Sequence, residues 1–432
     1  MTALPLGQRS PGAPMRLDPF NDSYIRDPAC TWRHLYGAGQ LVSWDADLAA
    51  WVIAGHDNVR TVLSDTSRFG MSPPLSPLCS LSPSADEDLT GIDAAIVEIA
   101  ADTSAQRRTR AILHSLFGTT ALRAQEQWGD LIEGRIGELV TELAGQPDSD
   151  LMTFATRLSV RVMLDILGLP TSDADDLRVW IADLADLMWG NPDPSAQLAG
   201  VRSRVKLRRY CELAVTERLA DGDHGSGLIG DMLRYRDGDD ATLTVAEIAA
   251  LTFNLVAAGG ETTGAALGHA LRHGLADPGR WAHLTDDHYL ALHVEESLRH
   301  SPAIDGWLRV TTTDVTVDGI AIPAGSRCLV LIGAANHDPE VYDDAQLFDP
   351  RRPRAGQHLG FGAGPHRCIG AAVARLLLAT ALRTLAQRLP DLALTDAQIR
   401  FRPNAVLRIP TALPVRTTRC PVAHPASSGS SS

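Results

Sequence analysis

The chain has 432 residues, and its 44% hydrophobic and 21% charged side chains are typical of a soluble folded protein. Its formal net charge of −13 argues against nucleic acid as the main partner, because phosphate binding needs a basic face. No apolar run approaches the roughly 18 residues of a membrane span, and the N-terminus lacks the apolar core of a signal peptide, so no membrane association and a cytoplasmic location are expected. The six cysteines lie far apart without a CxxC pair, which argues against a disulfide framework or a zinc site.

The two ends of the chain differ in composition from the rest. Residues 1–17 and 416–432 are rich in proline, serine and other small or polar residues, and we expect both to be disordered. Neither an internal repeat nor a long polar linker divides the sequence between them. Residues 18–415 are therefore predicted to form a single large domain, since a chain of this length can bury an extensive core.

Helical spacing of apolar residues dominates the middle of the chain. Residues 124–145, 150–170 and 244–278 each repeat apolar side chains at helical intervals. The third segment begins with a capping box, Thr244 and Glu247, and its apolar centre is expected to cross the interior. Strand patterns are fewer, the clearest at residues 49–55 and 314–332. The sequence thus predicts a mainly α fold with small β-sheets and no regular strand–helix alternation.

The centre of the long helix contains Gly259 and Gly260, followed by Glu261, Thr262 and Thr263. Each mid-helix glycine costs about 1 kcal/mol relative to alanine, so the pair needs a reason. One interpretation is close packing of another helix, with threonine hydroxyls bonded back to carbonyls. The other is a widened turn that admits a ligand, with an acid and a hydroxyl ready to move protons. The helix by itself favours the first interpretation.

Two further patterns are ambiguous when each is taken alone. Glu296 and Arg299 stand three residues apart on a predicted helix, a spacing common in surface ion pairs. The run "AQRRTR" places Arg107, Arg108 and Arg110 together in a strongly acidic chain. A solvated helix face is the ordinary explanation of such a run. Docking of an acidic partner, or an anion site inside the fold, is the alternative.

The stretch "HLGFGAGPHRCIG", from His358 to Gly370, ends a glycine-rich loop on a cysteine where a helix begins. Amides at a helix N-terminus favour an anion, so the pKa of the Cys368 thiol is expected to be lowered. A nucleophile would need a nearby base, and His366, two residues away, seldom has the required geometry. A lone thiolate with no other Cys or His at ligand spacing suits a metal that brings most of its ligands with it, namely haem iron.

Taken in order, these patterns resemble the motifs of the cytochrome P450 superfamily, specifically its soluble bacterial haem-thiolate monooxygenases, from about Pro19 to Pro414. The cysteine loop matches the highly specific signature F-G-x-G-x-H-R-C-x-G. "AGGETT", residues 258–263, matches the oxygen-binding segment of the family's long helix, and "ESLR" matches its ExxR motif. "LFDPRRP" is similar to the meander that precedes the cysteine loop.

The resemblance implies a role for each matched residue. Cys368 would be the proximal ligand of the iron in haem b, and a proximal thiolate favours O–O cleavage. Thr262 and Glu261 would be the catalytic residues, delivering protons by general-acid chemistry. Glu296 and Arg299 would form a buried structural pair that supports the loop. The remaining haem-binding positions would be Gln106, Arg110, Ala258, Gly259, Arg309, Phe361, Gly362, Gly364, His366 and Gly370.

Gln106 departs from the family pattern. It stands four residues before Arg110, where the family usually has a histidine, and Thr103 and Ser104 replace the usual pair of prolines. Glutamine donates a hydrogen bond but carries no charge. One anchor of the haem propionates is therefore expected to be weaker than in the family.

The resemblance also implies a substrate pocket. Asn254 would either offer its amide to a polar substrate or be satisfied by the backbone, and Asp305 would either pair with an amine or form an Asp-Gly turn. The predicted pocket residues are Asn254, Ala258, Ala303, Ile304, Asp305 and Val406.

Electrons would reach the haem from a separate protein. The resemblance implies a ferredoxin or flavodoxin with its reductase, drawing ultimately on NAD(P)H. Arg107, Arg108 and Arg367 would form a basic patch for this acidic partner. A substrate bound to a carrier protein is a further alternative.

The predicted reaction is hydroxylation or epoxidation of a small organic molecule, such as a natural-product intermediate. The main alternative uses the same haem chemistry for oxidative C–C or C–N coupling or another non-hydroxylating oxidation. The retained Thr262 and Glu261 favour oxygen activation. A non-catalytic haem sensor is a remote alternative, because no output domain is recognisable, and a thiolate-dependent hydrolase is more distant still.

Overall fold

The computed structural model describes residues 16–71, 77–85, 96, 100–146, 148–222, 224–236, 242–396 and 398–416. The terminal segments predicted to be disordered lie almost wholly outside these residues. The few described positions within them contact the body of the protein. Leu17 is buried and its amide donates to Asp45 Oδ2 at 2.6 Å, and Arg416 pairs with Asp148 across two strands.

Helices make up most of the described chain. The helices are α1 (Asp22–Arg26), α2 (Pro28–Ala38), α3 (His56–Ser64), α4 (Ser104–Leu116), α5 (Ala121–Ala144), α6 (Leu151–Leu167), α7 (Ala174–Trp189), α8 (Pro194–Asp221), α9 (Gly227–Arg236), α10 (Val245–Leu275), α11 (Pro278–His283), α12 (Asp287–His300), α13 (Ile332–Ala335) and α14 (Ala371–Arg388).

The strands are short and fall into three sheets. They are β1 (Val42–Asp45), β2 (Ala50–Ile53), β3 (Phe69–Met71), β4 (Asp148–Asp150), β5 (Gly306–Thr311), β6 (Val315–Val317), β7 (Ile320–Ile322), β8 (Arg327–Leu331), β9 (Ala393–Leu394) and β10 (Pro414–Arg416). The main sheet has the order β1-β2-β8-β5-β3, with β2 and β8 parallel and the other pairs antiparallel. A second sheet has the order β4-β10-β9, and β6 pairs with β7.

Helix α10 is the centre of the helical layer and packs against α6, α7, α8 and α14. It begins at the predicted capping box, where Thr244 Oγ1 accepts from the Glu247 amide and Glu247 Oε2 accepts from the Thr244 amide. These two bonds satisfy backbone N–H groups at the start of the helix that have no partner within the helix. Most of the helix beyond it is buried, as its apolar sequence predicts.

Glycines at four-residue intervals let α6 and α7 approach the backbone of α10. A Cβ added to Gly260 would lie 2.7 Å from Ile181 Cδ1 on α7, and one added to Gly264 would lie 3.2 Å from Thr156 Cα on α6. Close helix packing therefore explains Gly260. The helix is continuous through this segment, so the structure supports the packing interpretation rather than a widened turn.

The architecture confirms the prediction of a mainly α fold with small β-sheets. The cysteine loop, residues 358–370, leads directly into α14, which packs against α5, α10 and α12. The loop is thereby fixed to the helical core. Within the described ranges, no helix is both long and apolar enough to cross a bilayer.

Candidate active site

The cysteine loop has turns that its glycines permit. Gly362 and Gly364 have φ values of 69° and 70°, in the left-handed region that glycine adopts readily. A Cβ on Gly364 would also lie 2.5 Å from Ser64 Cα at the end of α3. The Cys368 amide donates to the Phe361 carbonyl at 2.9 Å, which closes the loop just before α14.

The Cys368 side chain is solvent-accessible, yet the protein atoms packed around it desolvate the sulfur. Burial raises the pKa of the thiol, and the Gly370 amide and the charges of Arg110 and Arg367 oppose that rise. The expected lowering of this pKa is wrong for the free thiol, because desolvation outweighs the amide and the cations. Among the described residues, no cluster of three or more His, Cys, Asp or Glu that could hold a metal ion is present, and Cys368 belongs to no such group.

Glu296 and Arg299 form a fully buried bidentate pair rather than a surface one. Arg299 Nε and Nη2 donate to the two Glu296 oxygens at 2.7 and 2.8 Å. Arg352, from the "LFDPRRP" segment, donates its Nε to Glu296 Oε1 at 3.2 Å. Arg299 Nη1 donates to the Asn336 carbonyl at 2.7 Å, and Asn336 Oδ1 accepts from the Leu359 amide at 2.7 Å. The pair is thus connected to the start of the cysteine loop.

One face of α10 is accessible within a largely buried helix. Asn254 and Thr262 are half-buried and Ala258 is exposed, and the three stand at four-residue intervals. Thr262 Oγ1 donates to the Ala258 carbonyl at 2.6 Å. The Asn254 side chain has no hydrogen bond to any described residue, which favours an amide available to a ligand over one satisfied by the backbone.

Glu261 lies on a different face of α10 from Thr262 and is buried in an ion-pair cluster. Arg402 donates its Nη1 to Glu261, and its Nη2 lies 2.6 Å from Asp186 Oδ1 on α7. Burial raises the pKa of Glu261, while the charge and hydrogen bond of Arg402 oppose that rise. No hydrogen bond joins the Glu261 and Thr262 side chains among the described contacts. The two candidate proton donors are adjacent in sequence, but Glu261 contacts Arg402 whereas Thr262 contacts the Ala258 carbonyl.

Arg309 is a buried cation with an unsatisfied donor. The residue is 2% exposed, its Nε has no hydrogen-bond partner among the described residues, and its Nη1 donates to the Leu308 carbonyl at 3.0 Å. Burial lowers the pKa of Arg309 to about 10, and the charge of Asp102 opposes that change. A buried cation with an orphaned donor calls for an anion. A haem propionate meets that requirement.

Two further donors surround the cysteine loop. His366 Nε2 lies 2.6 Å from Asp102 Oδ1, and the Met71 amide donates to the other Asp102 oxygen at 2.8 Å. Arg110 donates to the Arg367 carbonyl, and burial lowers its pKa. With Arg309, these side chains supply two guanidinium groups and an imidazole as partners for the two carboxylates of haem, so the residues present fit the cofactor.

Gln106 lies buried in the first turn of α4. Its backbone N–H donates to Thr103 Oγ1 at 3.0 Å, so Thr103, at one of the positions usually taken by proline, caps the helix. Helix α4 thus keeps a regular start without the family's prolines. Gln106 carries no charge, and the weaker propionate anchor expected from the sequence stays a prediction.

Three predicted pocket residues lie together beside β5. Ala303 is buried, Ile304 forms a bridge with Leu407, and the Val406 carbonyl accepts from the Asp305 amide at 2.8 Å.

The Asp305 side chain lies beside Gly333 and Trp32. A Cβ added to Gly333 would lie 2.6 Å from both Asp305 Oδ1 and a Trp32 ring carbon. Burial raises the pKa of Asp305 to about 6. The next residue begins β5, so the Asp-Gly pair starts a strand and does not form a turn.

The predicted basic patch is only partly free of ion pairs. Arg108 pairs with Glu247 of the capping box. Arg107 and Arg367 are exposed and make no ion pair with any described residue. The neighbouring Arg375 is held by Glu295 at 2.5 and 2.9 Å. Within the described residues, Arg107 and Arg367 are therefore the arginines of the predicted patch whose charge has no ion-pair partner.

Three charged residues of the site were not predicted from the sequence. Arg352 stands inside the quoted meander segment, so its proximity to a motif was the signal available for it. Asp102 and Arg402 stand in stretches without a distinctive pattern, and only the fold brings them to His366 and Glu261.

Known proteins resemble this chain over most of its length. The family model described as Cytochrome P450 matches residues 273–410. The chain is 31% identical over 413 residues to "Cytochrome P450 monooxygenase PikC" of Streptomyces venezuelae, covering 93% of this chain and 94% of that protein. It is 30% identical to "Mycinamicin IV hydroxylase/epoxidase" of Micromonospora griseorubida, with 85% and 89% covered.

A solved structure shows the same architecture. The crystal structure of P450BioI in complex with an acyl carrier protein bearing hexadec-9Z-enoic acid superposes with a TM-score of 0.80 and 26% identity, covering 92% of this chain and 99% of that one. Identity of this order along nearly the whole of both chains, in one fold, indicates common descent. The chain therefore belongs to the cytochrome P450 family, and it is a haem-containing monooxygenase like its bacterial relatives.

Proposed function

We propose that this enzyme holds haem b through Cys368 and inserts one oxygen atom from O2 into a small organic molecule, a natural-product intermediate, by hydroxylation or epoxidation. One observation carries the proposal. An accessible thiol ends the cysteine loop, the Cys368 amide is fixed on the Phe361 carbonyl, and the positive charges of Arg110, Arg367 and Arg375 act on the thiol. That donor set suits a metal supplied with its other ligands.

The haem, when bound, supplies the oxygen-activating chemistry, and a thiolate ligand favours O–O cleavage. The chain provides the surroundings for it. Cys368 would ligate the iron, and Arg309, Arg110 and His366 would bind the propionates, since Arg309 Nε has no partner of its own among the described residues. The triad of Glu296, Arg299 and Arg352 holds the segment that leads into the loop.

Thr262 and Glu261 supply protons. The Thr262 hydroxyl lies on the accessible face of α10, where its hydrogen bond to the Ala258 carbonyl orients Oγ1. Glu261 holds a carboxyl group in the buried layer behind that face. A hydroxyl on the ligand side and an acid behind it suit relay of a proton from the protein's exterior.

The first experiment is the absorption spectrum of the purified protein, reduced and exposed to carbon monoxide. We expect a strongly red-shifted Soret band that is lost in Cys368→Ala. The matched control is Cys30→Ala, because Cys30 is also exposed but lies on α2. An unshifted band in the fresh wild-type protein, or a shifted band that survives in Cys368→Ala, would overturn the assignment of the ligand.

The substrate side of the site combines apolar and amide groups. Ala303, Ile304 and Val406 supply an apolar wall, and Asn254 offers an amide on the accessible face of α10. These groups suit a mainly apolar molecule with a polar substituent. Product mass tests the reaction type, because oxygen insertion adds one oxygen atom whereas oxidative coupling, the alternative, removes two hydrogens.

Electrons come from NAD(P)H through a ferredoxin or flavodoxin and its reductase. The exposed, unpaired Arg107 and the neighbouring exposed Arg367 support docking of an acidic partner on the face of the cysteine loop. Most of the protein is acidic, so a local cationic area steers such a partner to this face.

A carrier protein is proposed as the bearer of the substrate. Helix α8 exposes Arg202, Lys206 and Arg209 along one stripe, and none of them forms an ion pair within the described ranges. Acyl carrier proteins are acidic, so the stripe complements them in charge. Lys206→Glu with Arg209→Glu should weaken binding of an acyl carrier protein at least about tenfold, unlike Arg33→Glu on α2. Equal binding by all variants would remove this partner.

A further inference from the structure

Two indole rings, one from the helical layer and one from the main sheet, meet beside the predicted pocket residues. Trp189 is the last residue of α7, and Trp307 is the second residue of β5. Their ring centroids lie 5.7 Å apart, and the ring planes are tilted by 47°. Both side chains are half-buried, and both pack, together with the pocket residue Ile304, against the main hydrophobic core. The pair therefore extends the pocket wall that contains Ile304.

The strand pattern determines which face of the sheet Trp307 occupies. Leu308 packs with Leu329 of β8 on one face, so Trp307 and Arg309 lie on the other. On that face Trp307 packs against a cluster that also contains Leu359 of the cysteine loop. Its accessible surface cannot lie at the edge of the sheet, because β5 has β8 and β3 on its two sides. Trp307 therefore presents this surface on the face of Arg309, the cation assigned to a haem propionate.

Trp189 reaches Trp307 from a helix end that backbone contacts hold in place. The Trp189 carbonyl accepts from the Ala405 amide at 2.9 Å, and the next residue, Gly190, forms a bridge with Asn404. The loop that makes these contacts continues into the pocket wall at position 406. The indole is thus positioned before a ligand arrives, and a rigid aromatic side chain loses little conformational entropy on binding.

The polar groups of the pair indicate what a ligand must offer. Neither indole N–H has an acceptor among the described residues. A donor that a ligand removes from water needs a new acceptor, since leaving it unpaired weakens binding. Asp305 is the one carboxylate among the predicted pocket residues, and its side chain lies beside Gly333 and Trp32. An uncharged ligand with an oxygen acceptor therefore suits the pair better than a cation.

We propose that the substrate is an aromatic molecule with an oxygen substituent on its ring, and that Trp189 and Trp307 are the residues that select it. A ring stacked with an offset on one indole can meet the other at an edge, and both arrangements are favourable at centroid distances of about 4.5–7 Å. The oxygen accepts from an indole N–H, and the Asn254 amide on the accessible face of α10 is a further polar partner. The inference names the substrate class of the proposed oxygenase and rests on that function.

Calorimetric titration of the haem-loaded protein with three matched probes tests the preference without turnover. 2-Naphthol has aromatic rings and an oxygen, decahydro-2-naphthol keeps the oxygen on saturated rings, and naphthalene keeps the aromatic rings alone. We expect 2-naphthol to bind about tenfold more tightly than either of the other probes, because it alone makes the aromatic contacts and satisfies a donor. Equal affinity of the wild type for 2-naphthol and either other probe would overturn the inference.

Substitutions assign the preference to the pair. Trp307→Leu and Trp189→Leu each remove one ring, so each should lower the preference for 2-naphthol over decahydro-2-naphthol about threefold. Trp307→Phe keeps a ring without the donor, so it should reduce only the preference for 2-naphthol over naphthalene. Trp44→Leu is the control, because Trp44 and Trp51 form an indole pair with the same 5.7 Å separation on β1 and β2. A full preference in both leucine variants, or an equal loss in Trp44→Leu, would overturn the assignment.

Failure of the inference and failure of the proposed function give different results. Retained haem content shows that each variant folds, and the carbon monoxide spectrum of the same preparation reports the ligand of the iron. A red-shifted Soret band without an aromatic preference would overturn this inference and leave the oxygenase function in place. An unshifted band would overturn the function, and the inference with it, whichever probe binds most tightly.

Discussion

His366 Nε2 lies 2.6 Å from Asp102 Oδ1, and this contact joins the cysteine loop to a residue 264 positions earlier. Asp102 also accepts from the Met71 amide at the end of β3, whose neighbour in β5 is Arg309. One carboxylate thus lies among the cations assigned to the haem propionates. Its negative charge offsets part of theirs.

Asp102→Asn should therefore raise the reduction potential of the haem. Reduction adds an electron, and removal of a nearby negative charge favours that state. A single charge partly screened by protein contributes on the order of 1 kcal/mol, or about 40 mV for one electron. Spectroelectrochemical titration measures the shift, with the exposed Asp57→Asn on α3 as the control. A potential that stays the same or falls would contradict the electrostatic role of Asp102.

Removal of one partner of the Glu296–Arg299 pair should destabilise the fold strongly. Both side chains are inaccessible, so Glu296→Gln leaves a buried guanidinium without its carboxylate, at a cost of about 3–5 kcal/mol. Arg352→Lys keeps a cation beside the same carboxylate, although it weakens the bonds to Glu296 and to the Asp343, Asp344 and Leu347 carbonyls, and it should cost less. Urea unfolding of the haem-loaded protein measures the free energy.

The matched control is the exposed pair of Arg60 and Asp57, where Arg60→Ala should change stability by at most about 1 kcal/mol. If Glu296→Gln yields no folded protein, the comparison uses yields instead, and we expect haem-loaded Arg352→Lys to be obtained in higher yield than Glu296→Gln. A loss at Glu296 no larger than that at Arg60 would mean that the buried pair does not support the loop.

Sequence patterns predict this molecule unevenly, for physical reasons. The cysteine loop is predictable because its left-handed turns favour glycine at Gly362 and Gly364, and because the proposed thiolate ligation needs a cysteine at position 368. Helix α10 is predictable because the capping box and its apolar length are local features. Motif and fold class thus follow from short stretches of chain.

Long-range charge pairing is not predictable in the same way. Arg402 could pair with any acid on the surface, and only the close packing of α7 on α10 at Gly260 brings it to Glu261. The pKa of Cys368 shows the same limit. The helix N-terminus is visible in the sequence, whereas the desolvation that outweighs it depends on tertiary burial.

Buried histidines should make the fold sensitive to acid. Burial lowers the pKa of His293 to about 4 and that of His300 to about 3, with Arg299, Arg272 and Arg352 adding to the effect at His300. An unfolded histidine has a pKa of about 6.5. Between about pH 6.5 and 4 the unfolded chain therefore binds more protons than the folded one. Stability is full above pH 6.5 and falls with decreasing pH by about 1.4 kcal/mol per pH unit for each such histidine.

Urea unfolding at pH 5.5, 6.5 and 7.5 measures this slope. His293→Gln, which can still donate to the Ala270 carbonyl, should reduce the slope by one histidine's share, whereas the exposed His288→Gln should leave it unchanged. A free energy of unfolding that is constant between pH 5.5 and 6.5 would show that folding does not lower the pKa values of these histidines.

The cationic area near the cysteine loop should control the rate of reduction. Arg107 has no ion pair with any described residue, whereas Arg108 is committed to Glu247. Arg107→Glu should therefore slow reduction by an acidic ferredoxin at low salt, because steering by unpaired charge accelerates encounter. Arg108→Glu should instead lower stability by breaking its pair. Stopped-flow reduction at two ionic strengths separates the effects, since only steering weakens with salt. A rate for Arg107→Glu equal to that of Arg33→Glu on α2 would place the partner's docking site elsewhere.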